Sequence, residues 1–175
     1  MADLNSKLEQ VKSKESFLER IKRIIPGYDG YVNRDNSREL DVQLRNTLAS
    51  NLDSNKTKLK NVVLNLSKNG KLFDADGIDK LDKKLENAIA KLKSAARGFS
   101  GAFDVKKIKE NELNQIYQFD AEMLESVNAI GAACSEMVDN SSANSDIKQS
   151  QQKISNLLDN ILQHFTEREN ILRTL

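Results

Sequence analysis

A chain of 175 residues with one proline, seven glycines and 27 basic against 26 acidic side chains is sized for one domain that buries a core without staples. Its net charge of +1 argues against a nucleic-acid binder, which carries a clear basic excess. One cysteine and one histidine rule out an internal disulfide, a histidine-rich zinc site and a ferritin-like pair of Glu-x-x-His motifs.

The first helix is expected over 1–25. Leu4, Leu8, Val11, Leu18 and Ile25 follow four- and three-residue steps, and Phe17, Ile21 and Ile24 broaden the apolar face near its end. Met1–Lys7 holds no apolar core of a secretory signal, so the chain is expected in a reducing, cytoplasmic setting. Pro26 lacks an N–H and disfavours helical geometry at Ile25, which ends the helix there. Gly27 and Gly30 then let the chain reverse, and Tyr28 and Tyr31 supply apolar bodies with hydroxyls that seek partners. The corner reads as a plug over one end of a bundle, with an exposed docking knob as the alternative.

The second helix is expected over 37–69. Asn36 and Glu39 have capping-box spacing, and Leu40, Leu44, Leu48 and Leu52 recur every four residues before Leu59, Val62, Val63 and Leu66 resume the face. Between them Asp53–Lys58 is wholly polar and poor in helix formers. A continuous helix is the preferred reading and a kink near Asn55 the alternative. Asn69-Gly70 marks the stop.

The third helix is expected over 77–97, with Asp76 as N-cap and Ile78, Leu81, Leu85, Ile89, Leu92 and Ala96 on one face. A second glycine-aromatic corner follows, Gly98-Phe99-Ser100-Gly101-Ala102-Phe103, echoing Gly27–Tyr31. The fourth helix, 105–138, carries a seam of Leu113, Tyr117, Asp120, Leu124, Val127, Gly131, Cys134 and Val138, a coiled-coil-like pattern with one carboxylate in it. Asp139–Ser145 reads as a loop. The fifth helix, 146–174, keeps the same alternation through Ile147, Gln151, Ile154, Leu158, Ile161, Phe165, Arg168 and Leu172.

These elements predict an all-α fold, a single elongated antiparallel bundle of about five helices with coiled-coil-like seams. Following the chain up and down places both glycine-aromatic corners at one end, where Tyr28, Tyr31, Phe99 and Phe103 are expected to cluster. Asp120 on the seam needs a partner to offset its desolvation, and Arg38 or Arg45 is the expected donor. Arg38, Asp41 and Arg45 share one face of the second helix by their spacing.

The run Pro26-Gly27-Tyr28-Asp29-Gly30-Tyr31, followed by Arg38, Asp41 and Arg45, resembles an uncharacterised family of small helical prokaryotic proteins. That family's motif pairs a GY segment with spaced Glu, Arg, Asp and Arg and adds a later glycine-aromatic corner. The likeness spans about residues 20–130. Asn33–Ser37 stands where the family carries more charged helix formers, which blurs the start of the second helix. The resemblance implies a helical fold and no known chemistry.

Catalytic constellations are not legible. Cys134 on the apolar seam reads as a small hydrophobe and His164 as a seam-edge residue. Asp74–Gly77 fails as a calcium loop, because Leu72 and Lys83 would fall at ligand positions. No phosphate-binding glycine loop is present, and the lysine clusters at 56–60 and 106–109 read as solvated faces. The expected function is therefore a non-enzymatic scaffold or adaptor, without cofactor or small-molecule substrate. Its partner would be a second copy or another helical protein. The alternative is a peripheral membrane protein of the stress-response or remodelling kind, since no uncharged apolar run reaches the ~20 residues of a span.

Overall fold

The computed structural model describes residues 17–31, 34–94 and 110–173. Within them the chain is all-α. A helical stretch at 17–24 (α1) precedes α2 (Arg34–Ser54), α3 (Lys56–Lys68), α4 (Ala75–Ser94), α5 (Glu110–Ser142) and α6 (Lys148–Arg173), with a single 3-10 turn at Leu72–Asp74. No strand occurs among the described residues. At ~1.5 Å per residue the longest helix, α5 with 33 residues, runs about 50 Å, so the bundle is a rod.

Side-chain pairings fix the helix directions. Arg20 of α1 meets Glu125 while Tyr31 meets Tyr117, so α1 descends against α5. Lys58 reaches Gly131 O and Asn69 reaches Ser141 O, so α2 and α3 run with α5. Arg45 reaches towards Leu92 O while Lys56 pairs with Glu86, so α4 runs against α2 and α3, and Gly77 lies at Gln151 while Lys84 pairs with Asp159, so α4 runs along α6. Helices consecutive in the chain alternate up and down as the short connections require, with α2 and α3 running the same way, whereas α3 packs parallel to α5 and α4 parallel to α6. A continuous core runs through all of them, from Ile21 and Ile25 through Leu44, Leu48 and Leu52 to Ile116, Leu124, Ile130, Leu158 and Ile161.

The helix expected to run unbroken over 37–69 is two helices, divided at Asn55. In a regular helix the Asn55 N–H would bond Asn51 O. Here Asn51 O instead accepts Ser54 Oγ at 2.7 Å and Asn55 Nδ2 at 2.9 Å, while Asn55 N turns to Leu52 O at 3.0 Å. Short polar side chains have displaced the backbone from its own ladder. The helix also begins at Arg34 rather than at 37, so Asn36 lies inside it and not at its cap.

Two further boundaries differ from expectation. Asp76 lies in the first turn of α4, 2.7 Å from Lys80 Nζ, because the helix starts at Ala75, directly after the 3-10 turn. And α5 continues to Ser142, absorbing most of the polar run expected as a loop. It stops in a Schellman turn, with Asn144 at φ 57°, Ser145 N on Asn140 O at 2.8 Å and Asn144 N on Ser141 O at 3.3 Å. The α3 end uses the same device with Gly70 at φ 72°. The glycine-aromatic corner at 98–103 lies outside the described residues.

Candidate functional site

Five of the residues singled out by the sequence, Tyr28, Tyr31, Asp41, Arg45 and Asp120, converge on one buried ionic hub. Asp120 of α5 and Arg168 of α6 are both fully buried, and Asp41 and Arg45 of α2 are 6% and 4% exposed. Arg168 Nε donates to Asp120 Oδ1 at 2.6 Å, and its Nη2 lies 2.7 Å from Asp41 Oδ1. Arg45 grips Asp41 Oδ2 through Nε at 2.8 Å and Nη2 at 2.6 Å, and extends Nη1 towards Leu92 O at the end of α4. Glu169 stands 3.7 Å from the Arg168 guanidinium.

The tyrosine corner closes the hub from above. Tyr31 Oη donates to Asp120 Oδ2 at 2.6 Å and accepts Arg168 Nη2 at 2.9 Å; Tyr28 Oη donates to the same Asp120 oxygen at 3.2 Å. Tyr31 N donates to Tyr117 Oη at 2.8 Å, and the two rings stack with centroids 5.4 Å apart, while Tyr28 meets Tyr31 edge-on at 5.7 Å. The corner's backbone makes this approach feasible. Gly27 and Gly30 hold φ of 83° and 86°, and a Cβ on Gly30 would sit 2.7 Å from Tyr117 Oη. The corner, α2, α4, α5 and α6 are thereby tied at one level of the rod.

Burial governs the electrostatics. It raises the Asp120 carboxyl above the usual carboxylate range, although Arg168 and Tyr31 pull it down. Burial likewise pushes the Tyr28 and Tyr31 hydroxyls well up. For Arg168 burial opposes the charge, but Asp120, Tyr31 and Asp41 together hold the guanidinium well above its ordinary value. Away from the hub, burial moves the Cys134 thiol up to about 11, the signature of an inert core cysteine.

The partner assigned to Asp120 from sequence needs correction. Neither Arg38 nor Arg45 holds it; Arg168 does, while Arg45 serves Asp41. Arg38 is half-buried and lines an open groove along α2. Phe99 and Phe103 lie outside the described residues, and Tyr117 is the aromatic ring the structure sets against Tyr31. The missed pairing did have a signal. Asp120 and Arg168 are each 24 residues from Asn144, the turn of the α5–α6 hairpin, and residues equidistant from an antiparallel turn lie at one height. Two opposite charges on facing apolar seams, so placed, belong together.

His164 lies against Phe119 with its Nδ1 3.4 Å from Glu122 Oε2. Among the described residues no group of three or more His, Cys, Asp or Glu side chains is placed to hold a metal ion, and no helix is long and apolar enough to cross a membrane. The hub's central groups, Asp120 and Arg168, have no exposed surface through which to meet a substrate. What the arrangement does chemically is mutual neutralisation. The chain matches no family model, no curated protein and no solved structure.

Proposed function

We propose that this protein is a non-enzymatic assembly module, a rigid helical rod that presents a binding surface to another protein. The observation that carries the reading is where its exposed apolar residues fall. Among the described residues four large apolar side chains are exposed, and three of them, Leu64, Leu72 and Phe73 (57%, 61% and 98%), fall between 64 and 73 at the end of α3 and in the 3-10 turn, with Val42 the fourth. Scattered exposed apolar side chains need no account, but a local group of them marks a contact surface. The hub supports this reading from the opposite direction: its charges are spent on internal pairing, which locks helix register and keeps the rod in one shape. A reducing, cytoplasmic setting suits the lone buried Cys134.

The membrane reading would use the same turn as an inserting element. Lys68 and Lys71 beside it are matched by Asp74 and Asp76, so the tip offers little attraction to anionic lipid. Size-exclusion of the native protein in an extract of the cells that make it tests the assembly reading. A complex larger than the 19.7 kDa chain that shrinks to the monomer for Phe73→Asp is the expected result. A monomeric elution for both forms would overturn it.

A further inference from the structure

We propose that the cleft between the first turns of α4 and α6 is a binding site for a small, soluble, phosphate-bearing molecule. The site stands apart from the assembly reading, because Leu64, Leu72 and Phe73 do not line it. The cleft holds about 430 Å³, within the range of about 300–1,000 Å³ that suits small-molecule ligands. Gly77, Lys80 and Lys84 come from α4, and Lys148, Gln151 and Ser155 from α6. Steps of three and four residues put each set on one face of its helix, so two polar faces meet across the gap.

The two walls touch at two levels. At one, Gln151 lies on Gly77, and a Cβ there would overlap Gln151 Nε2. Only a residue without a side chain admits that amide, which accounts for a glycine inside a helix, where it costs stability relative to alanine. At the other, Lys84 Nζ crosses to Ser155 Oγ at 2.9 Å and to Asp159 Oδ2 at 2.6 Å. Gly77 and Lys84 are about 10 Å apart along α4 at ~1.5 Å per residue, and Lys80 lies midway.

The lining specifies the charge of the occupant. Three lysines face the cleft, and no carboxylate is among the described residues that line it. Asp76 and Asp159 hold Lys80 and Lys84 from the rim, at 2.7 and 2.6 Å, and are 72% and 61% exposed. Ion pairs with such exposed carboxylates are weak, so an anion carrying two charges can draw both lysines inward. A phosphate monoester carries nearly two negative charges at neutral pH and three strong acceptor oxygens. Lysine meets it as a point charge with rotatable donors. A carboxylate is gripped best by the arginine fork, and no arginine lines the cleft. The Gln151 amide and Ser155 hydroxyl then serve the uncharged part of the molecule.

Titration of the isotopically labelled full chain with glycerol 3-phosphate at low ionic strength, followed by amide chemical shifts, tests this. Expected is saturable one-to-one binding with a dissociation constant of about 1 mM or below. The shifts should be confined to the amides of 77–84 and 148–155. Lys80→Gln and Lys148→Gln should each weaken binding at least about fivefold; both side chains are exposed, so circular dichroism should report unchanged helix. Lys60→Gln and Lys93→Gln remove the same charge from exposed positions outside the cleft, and should change the affinity by less than about twofold. Equal losses in all four variants, or shifts that spread over the lysines without saturating, would reduce the effect to general surface charge and overturn the site. Acetate binding as tightly as the phosphate ester overturns the choice of ligand. Absence of binding up to about 20 mM overturns the proposal as well, including the case in which the parent but not Lys148→Gln co-sediments with phosphatidate vesicles, where a lipid headgroup is the occupant. None of these outcomes touches the control of a complex by Phe73, which decides the assembly reading separately.

Discussion

Arg168→Met is the perturbation that most directly tests the hub. The guanidinium is fully buried, donates to Asp120 and Tyr31, and lies 2.7 Å from Asp41. Methionine replaces its bulk but leaves the Asp120 carboxylate buried with only the Tyr28 and Tyr31 hydroxyls against it, while Asp41 keeps Arg45. Removing one partner of a buried ion pair costs about 3–5 kcal/mol, because the survivor stays desolvated and uncompensated. For a chain of this size each kcal/mol moves Tm by roughly 2–4 °C, so the variant should melt roughly 6–20 °C below the parent. Urea unfolding followed by circular dichroism reads the same loss as a lower midpoint at unchanged slope. The double variant Arg168→Met, Asp120→Leu should lose less than the sum of its parts, by about 1–3 kcal/mol, since no charge is then stranded. A stability within about 0.5 kcal/mol of the parent, or strict additivity in the double variant, would refute the assignment of Asp120 and Arg168 as one ionic unit.

Three other outcomes follow from the same geometry. Because burial holds the Asp120 carboxyl above its unfolded value, the native chain binds more protons through that window, and the stability tied to this group falls as pH rises through it and is flat above; the parent should therefore lose ground to Asp120→Asn in urea titrations as pH climbs from about 4 towards neutrality. Gly30→Ala should destabilise more than Gly27→Ala, although both residues have positive φ, since only at Gly30 does the new Cβ meet a neighbour (Tyr117 Oη, 2.7 Å); backbone strain alone costs about 1–2 kcal/mol, and equal thermal shifts for the two would contradict the packing described. Cys134, its thiol raised to about 11 by burial, should resist iodoacetamide at pH 8 in the native protein and react in urea; rapid native labelling counted by mass spectrometry would show that the seam is open.

The α-helical class, the corner at Pro26–Tyr31 and most of the core faces could be read from the sequence, because each is a local matter. Periodicity of apolar residues sets which face is buried, and Pro26 with two glycines sets where the chain turns. Asp120 stood out for the same reason, as a charge on an apolar seam. Three things were decided only by the tertiary structure. The break at Asn55 depends on Ser54 and Asn55 taking Asn51 O from the backbone, a competition whose winner depends on what surrounds a residue only 3% exposed. The end of α5 depends on Asn144 accepting a left-handed conformation, which postponed the stop beyond the first polar residues. The choice of Arg168 over Arg38 or Arg45 depends on which helices face each other across the core. Helical periodicity says that a charge is buried, but only the packing of α5 against α6 and of the tyrosine corner over both says which opposite charge lies at its height.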